Sequence, residues 1–224
     1  MKPLNHVCPD ALCARRSKGI LLSFLLLATP QISPALRAGA EKTLEAKPHS
    51  WCSNALAPAK ISERSLYNSD ASWTTDRGVT IKLASFRGRP QIVAMFFSTC
   101  LSACPVLLND LQRIAEKIPE TVRTNVQFVL ISFDSEGDTP PVLAKYRQQH
   151  ALPENWSLLH GSPEDVLEIA ALLGVRFRSE AQGGFAHSNM ITLLNPGGEI
   201  VLQQPGLNRD PSELAGAAAK LLGR

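Results

Sequence analysis

Two cysteines, Cys100 and Cys104, lie four residues apart in the segment Phe96 to Leu108, which reads FFSTCLSACPVLL. Thiolates are the reactive form in disulfide exchange, and they also bind soft metal ions. The pair can therefore be a structural disulfide, a redox couple or part of a metal site. A disulfide that closes so short a loop adds little stability, because the stabilisation grows with loop length. The structural disulfide is accordingly the weakest of these three interpretations.

A metal site needs a third ligand, and His187 is the best candidate among the five histidines of the chain. It lies between the pair Gly183-Gly184 and the apolar segment Met190 to Leu194. We expect the glycines to make the loop that carries His187 mobile, while its downstream end is anchored in a strand. The other four histidines fall in the N-terminal segments or at positions where an ordinary surface role is expected: His6, His49, His150 and His160.

The elements predicted on either side of the cysteines place both thiols at the end of a strand. Gln91 to Phe97 is an apolar run of buried-strand length, and a helix is predicted to begin at Cys104-Pro105. Open α/β sheets carry their functional sites at the carboxyl ends of strands. The N–H groups at a helix start favour thiolate, so we expect a lowered pKa for these cysteines. The apolar positions of this helix repeat at the spacing of one face: Leu107, Leu111, Ile114, Ala115 and Ile118.

Strands alternate with helices along the rest of the chain, which predicts an α/β fold, a thioredoxin-like sandwich with a central mixed β-sheet flanked by helices. Further strands are predicted at Val126 to Phe133, Ser157 to Leu159, Met190 to Leu194 and Glu199 to Gln203. The last two strands form a C-terminal β-hairpin, and a helix follows it. The predicted helix N-caps are short polar residues: Asp138 or Thr139, Ser162, and Asp210.

The N-terminal part of the chain has the pattern of an export signal. Arg15, Arg16 and Lys18 precede the apolar run Gly19 to Thr29, and Ala38-Gly39-Ala40 offers a cleavage site. We therefore predict a signal peptide or short membrane anchor at residues 1–40, a tether at 41–62 and the folded domain at 63–224. The apolar run is shorter than the ~20 residues that span a bilayer, which favours cleavage over anchoring. The expected location is periplasmic or otherwise extracytoplasmic, with anchoring to the inner membrane as the alternative.

The charge and cysteine content of the chain narrow the function classes further. The formal net charge is +3, but the basic excess falls in the first 40 residues, so no basic patch is left to indicate nucleic-acid binding. After cleavage the chain would keep Cys52, Cys100 and Cys104. An odd number of cysteines leaves at least one thiol without a partner in the same chain, which favours thiols kept for chemistry.

Three motifs in the same order resemble the SCO/SenC family, which is named for synthesis of cytochrome c oxidase. The resemblance runs from about Leu66 to Leu207. It implies a thioredoxin-like fold with Cys100, Cys104 and His187 as ligands of copper, either Cu(I) or Cu(II). The chain departs from the family in carrying Ala186 where an aspartate commonly precedes the histidine. The motifs are Thr99-Cys100-x-x-x-Cys104-Pro105, Phe133-Asp134-Ser135-x-x-Asp138-Thr139-Pro140, and His187-Ser188 followed by an apolar strand and Asn195-Pro196-Gly197-Gly198.

Two function classes remain open at this point. The resemblance implies a copper metallochaperone that delivers copper to the dinuclear centre of a cytochrome c oxidase subunit, or to another copper acceptor protein, with membrane association through the N-terminus. The alternative is a thiol-disulfide oxidoreductase that uses Cys100 and Cys104 as a redox-active pair on the oxidase subunit or another extracytoplasmic target. His187 separates the two classes, because disulfide exchange needs no distant imidazole and a three-coordinate copper site does.

Overall fold

In the computed structural model, which describes residues 62–181 and 184–223, the central strand of the sheet is β3 (Gln91–Phe96). All six of its residues are buried, as the apolar run Ile92 to Phe96 predicts for a strand covered on both faces. The described residues belong to one compact unit. The predicted signal at 1–40 and the predicted tether, apart from Ser62, lie outside the described residues, as does Cys52.

The main sheet has seven strands, in the order β2-β1-β5-β4-β3-β8-β9. The pairs β3/β4 and β4/β5 are parallel, and the other pairs are antiparallel. The mixed sheet and its C-terminal hairpin, β8–β9, confirm the predicted fold class. Besides β3, the strands are β1 (Trp73–Thr75), β2 (Thr80–Ile81), β4 (Gln127–Ser132), β5 (Trp156–His160), β8 (Met190–Leu194) and β9 (Ile200–Pro205).

Helices flank this sheet, and the first of them buries the face that its sequence predicts. Four residues at the helical spacing are each at most 1% exposed: Leu107, Leu111, Ile114 and Ile118. Of the described helices, none is long and apolar enough to cross a membrane. The helices are α1 (Ala103–Lys117), α2 (Glu120–Arg123), α3 (Pro140–Gln149), α4 (Pro163–Leu172) and α5 (Ser212–Leu222).

The predicted helix N-caps are only partly correct. Ser162 caps α4, because its hydroxyl accepts a hydrogen bond from the backbone N–H of Asp165 at 3.1 Å. Thr139 occupies the N-cap position of α3 but makes no capping hydrogen bond through its side chain. Pro211, and not Asp210, is the N-cap residue of α5, although the Asp210 carboxylate still accepts from the N–H of Ser212 at 3.0 Å.

A second, two-stranded sheet stands apart from the main one. It pairs β6 (Phe177–Ser179) with β7 (Phe185–His187) in antiparallel register, with Phe177 opposite His187. The sequence predicts a loop here, so that expectation is wrong: His187 is the last residue of a short strand. The strands are only three residues long, and their sequences, FRS and FAH, carry no alternation long enough to identify a strand.

Candidate metal centre

The two cysteines lie where strand β3 passes into helix α1. After the strand ends, the backbone N–H of Cys100 donates to the carbonyl of Phe97 at 3.3 Å, which turns the chain before the helix starts. Cys104 then falls in the first turn of α1 and is 2% exposed, while Cys100 is half-buried. Both are free thiols. The parallel partner β4 and the antiparallel partner β8 hold β3 from both sides, so this junction rests on the centre of the sheet.

The start of the helix lowers the pKa of Cys100, as the sequence predicts. Burial on its own raises that pKa, but the thiol accepts from the backbone N–H groups of Cys104, Ser102 and Ala103 and contacts the Cys104 thiol, and the balance lowers it. The N–H of Cys104 lies 3.3 Å from the Cys100 sulfur. Cys100 is therefore the thiol that ionises more readily.

Cys104 behaves in the opposite way, so the expectation of a lowered pKa is wrong for this residue. Burial raises the pKa of the Cys104 thiol to about 12, and the nearby Cys100 and Asp138 add to the rise, against a lowering contribution from the backbone of Phe97. Ionisation of a buried thiol is unfavourable because the thiolate is not solvated by water, and the N–H groups of one helix start do not offset that cost. In the metal-free protein the pair is one reactive thiol and one protonated thiol.

His187 reaches the cysteines from the separate β6–β7 hairpin. Its ring lies against two phenylalanines of the main body, with centroid distances of 5.0 Å to Phe133 and 6.0 Å to Phe97. The Nδ1 atom is 3.3 Å from the carbonyl oxygen of Ser188. Because a carbonyl oxygen only accepts, this contact suits the tautomer with the proton on Nδ1, which leaves the Nε2 lone pair for a metal ion.

The three side chains converge. One potential ligand atom from each of Cys100, Cys104 and His187 lies within 4.8 Å of the other two. Two sulfurs and one imidazole nitrogen form a soft set that suits Cu(I), whereas Mg²⁺ and Ca²⁺ prefer oxygen ligands and more of them. Two other histidines, His150 and His160, are half-buried and lie outside this group among the described residues.

A comparison with protein families agrees with this arrangement. The SCO1/SenC family model matches residues 59–223, well over half of the chain. The chain belongs to the SCO1/SenC family. The resemblance carried by the cysteine, aspartate and histidine motifs is thereby confirmed, and the match extends on both sides of the Leu66 to Leu207 segment from which it is recognised.

This chain is also similar to individual proteins, one of them a sequence relative and two of them solved structures. A relative from Stutzerimonas stutzeri, provisionally named a copper-binding protein, is 28% identical over 120 residues, which cover 52% of this chain and 58% of that protein. Copper-bound ScoI from Arabidopsis thaliana is 25% identical, with a TM-score of 0.61 over 68% of this chain and 96% of that one. A SCO1/SenC lipoprotein from Bacillus anthracis shares the fold, with a TM-score of 0.64, 21% identity, and coverage of 74% and 99%.

Two of the three candidate ligands, Cys100 and His187, border a cleft that opens to solvent, whereas Cys104 is buried beside it. The cleft has a volume of about 480 Å³, and Phe97, Phe185 and the loop between the cysteines form its walls. Leu101, the residue after Cys100, is 96% exposed. This edge of the site is therefore open to solvent and accessible to an approaching molecule.

Asp138 is the site residue whose role the sequence does not reveal. It is 1% exposed and accepts hydrogen bonds from the backbone N–H of Ser98 at 2.9 Å and from the hydroxyl of Ser132 at 2.5 Å. The Ser98 hydroxyl also donates to it. Asp138 therefore joins the end of β3, just before Cys100, to the end of β4. The position of Asp138 before Thr139-Pro140 predicts only a helix N-cap, so the sequence gives no indication of its buried hydrogen bonds to Ser98 and Ser132.

Proposed function

We propose that this protein binds one copper ion through Cys100, Cys104 and His187 and transfers it to an acceptor protein outside the cytoplasm. The observation that carries the proposal is the convergence of the three ligand atoms within 4.8 Å of one another. The copper-bearing subunit of cytochrome c oxidase is the acceptor implied by membership of the family. The copper bound to Arabidopsis ScoI and the name of the Stutzerimonas relative support copper as the cargo.

The arrangement of the ligands suits transfer by exchange. The cysteines are fixed at the β3–α1 junction, whereas His187 stands on a hairpin outside the main sheet. A three-coordinate Cu(I) ion leaves a position open to an entering ligand of the acceptor. The exposed edge at Leu101 allows that ligand to approach. Copper then passes from one protein to the other without being released, and His187 is the ligand best placed to be displaced first.

One observation favours the second candidate, a thiol-disulfide oxidoreductase. The lowered pKa of Cys100 and the burial of Cys104 give an accessible attacking thiolate next to a protected second thiol. The Cys100 thiolate would attack a disulfide of the target and release one target thiol. Cys104 would then displace the other, which leaves the Cys100–Cys104 disulfide and a reduced target. This reaction uses no group on His187.

A copper titration of a His187→Ala variant separates the two functions. The parent and the variant both carry serine at Cys8, Cys13 and Cys52, so that no other thiol binds copper. We expect the reduced parent to bind one Cu(I) in an anaerobic chelator competition. Loss of a single ligand should weaken binding at least as much as loss of a group that only supports a ligand, which costs ~10- to 100-fold. Disulfide exchange with a small thiol should change little.

His150→Ala is the matched control, because His150 is also half-buried and packs against Tyr146 with a centroid distance of 4.2 Å, but does not belong to the group of converging ligand atoms. We expect it to bind Cu(I) as the parent does. If His187→Ala also retains the parent affinity, the chaperone assignment loses its third ligand and the oxidoreductase becomes the better explanation.

A further inference from the structure

The cleft of the metal centre contains one charged side chain besides the candidate ligands. Of the described residues that line it, Glu180 alone is acidic, and no basic residue accompanies it. Glu180 is exposed and follows strand β6 directly. Its carboxylate is therefore not neutralised by a cation in the cleft.

The backbone keeps Glu180 at this position. Its N–H donates to the carbonyl of Gly184 at 3.1 Å, and this bond continues the pairing of the β6–β7 hairpin beyond Ser179 and Phe185. Gly184 and Phe185 line the same cleft. The carboxylate does not belong to the group of ligand atoms within 4.8 Å of one another. Because the side chain is exposed and has several rotatable bonds, its carboxylate can change rotamer within the cleft without any change in the backbone.

The two oxidation states of copper respond differently to such a carboxylate. Cu(I) is a soft ion, and two thiolates and an imidazole are sufficient to bind it. Cu(II) favours square-planar or tetragonal coordination that includes nitrogen and oxygen ligands. With two thiolates and a neutral imidazole, the Cu(I) site carries one negative charge in excess and the Cu(II) site is neutral. A nearby carboxylate is repelled by the first and tolerated by the second.

We propose that Glu180 is a fourth, oxygen ligand that this site offers to Cu(II) and not to Cu(I). The inference rests on the proposed copper site. It assigns to the β6–β7 hairpin two ligands of different character, the His187 imidazole for both oxidation states and the Glu180 carboxylate for the oxidised ion alone. Cu(II) would then be bound by two side chains of the hairpin, Glu180 and His187, and Cu(I) by His187 alone.

The test measures Cu(II) and Cu(I) affinities separately in Glu180→Gln, by competition with chelators specific for each ion. We expect the Cu(II) affinity to fall about tenfold or more, and the Cu(I) affinity to stay within about threefold, since the three soft ligands remain. A tenfold fall in the ratio of the Cu(II) affinity to the Cu(I) affinity raises the copper reduction potential by about 59 mV, since the couple transfers one electron. The electron paramagnetic resonance spectrum of the Cu(II) form should change as an oxygen ligand is lost.

Two further variants sharpen the result. Glu180→Asp keeps the charge on a shorter chain, so it should recover part of the Cu(II) affinity; an aspartate variant no better than the glutamine variant counts against coordination by the carboxylate. Glu136→Gln is the matched control, because Glu136 is exposed and lines a neighbouring cleft together with Phe177 and Phe185 but without the cysteines. It should leave both affinities unchanged.

The outcomes distinguish this inference from the proposed function. If the parent protein binds neither ion, the copper site itself is wrong. If the parent binds both ions and Glu180→Gln leaves the affinity ratio and the Cu(II) spectrum unchanged, the three-ligand site stands and the role of Glu180 is wrong. An equal loss of both affinities also overturns the role, because it points to a general effect on the hairpin and not to a ligand for Cu(II).

Discussion

The candidate metal centre joins two regions that are built differently. The cysteine region, at the β3–α1 junction, stands on the middle of the seven-stranded sheet and is tied to β4 through the buried carboxylate of Asp138. The histidine region is the β6–β7 hairpin, with two strands of three residues whose side chains are half-buried or exposed. Both regions supply ligand atoms to the same point.

The hairpin is attached to the main body mainly by aromatic contacts. Phe177 lies 4.9 Å from Phe133 between ring centroids, and Phe185 lies 5.3 Å from Phe97. Such contacts contribute roughly 0.5 to 1.5 kcal/mol each beyond the burial of area, far less than a covered sheet provides. Under the proposed function, this difference would divide the roles: the cysteines would hold the ion, and the histidine would determine when it leaves.

The largest expected effect is on stability. Leu111→Ala removes a side chain of α1 that is fully buried, and we expect it to lower the free energy of unfolding by about 2 to 5 kcal/mol. Phe177→Ala in the hairpin should cost less than half as much, because that ring is only half-buried and leaves no enclosed cavity. Urea unfolding followed by circular dichroism measures both values. Equal losses would mean that the hairpin is part of the main core, and the comparison would fail.

The next effect concerns the anchor of the cysteine region. Asp138→Asn keeps the shape of the side chain but replaces an acceptor oxygen by an N–H₂ group that faces the donors of Ser98 and Ser132. We expect a loss of about 1 to 3 kcal/mol in the free energy of unfolding, the usual cost of an unsatisfied buried polar group. The negative charge of Asp138 raises the pKa of Cys104, so the variant should also lower that pKa and speed alkylation of Cys104.

Asp134→Asn is the control for this prediction. Asp134 lies in the same loop and accepts from the N–H of Gly137 at 2.7 Å, but that bond is exposed to solvent. Asp134→Asn should therefore lower the free energy of unfolding by less than Asp138→Asn does, since water can replace the missing partner. A loss as large as that of Asp138→Asn would show that the loop as a whole, and not the buried carboxylate, anchors the cysteines.

The two regions also differ in how far the sequence predicts them. The strand before Cys100 and the apolar face of α1 are evident, because Ile92 to Phe96 is continuously apolar and the helix repeats its apolar residues every three or four positions. The hairpin is not evident, because its pairing is fixed by contacts with phenylalanines distant in sequence, such as Phe97 and Phe133. Local pattern carries no information on such contacts.

The sequence likewise predicts the thiol pKa correctly for only one of the two cysteines, Cys100 and not Cys104. A helix start indicates a lowered thiol pKa, and this holds for Cys100, which is partly exposed. Cys104 lies within the first turn of the helix yet has a raised pKa, because the tertiary packing around it buries the thiol. The sequence places both thiols at the helix start, but only the packed structure distinguishes the exposed one from the buried one.

A smaller effect should be visible in the reactivity of the two thiols. In the reduced, metal-free protein Cys100 should be alkylated at least about tenfold faster than Cys104 at pH 8, since its lowered pKa makes more thiolate and Cys104 has a pKa of about 12. Raising the pH toward 11 should narrow the difference, because Cys100 is then fully ionised and only Cys104 gains thiolate. Tandem mass spectrometry of alkylated peptides resolves the two sites. Equal rates at pH 8 would contradict the asymmetry.

The smallest expected effect is a strengthening of the hairpin itself. Ala186, the residue before His187, pairs with Arg178 across the β6–β7 hairpin. Ala186→Asp would place opposite charges on directly paired residues, a contact that contributes roughly 0.2 to 1 kcal/mol in antiparallel strands. Because successive side chains of a strand point to opposite faces, the new carboxylate should act on Arg178 more than on the His187 imidazole.

Hydrogen exchange of the hairpin amides measures this effect locally, where global unfolding would not resolve it. We expect slower exchange at the N–H groups of β6 and β7 in Ala186→Asp, and no change in the amides of β3. The gain should disappear in the double variant with Arg178→Gln, which removes the partner charge, and should shrink at high salt, which screens an exposed ion pair. If the gain survives the loss of Arg178, the aspartate acts on His187 or its neighbours instead, and the hairpin is coupled to this candidate ligand more tightly than its short strands indicate.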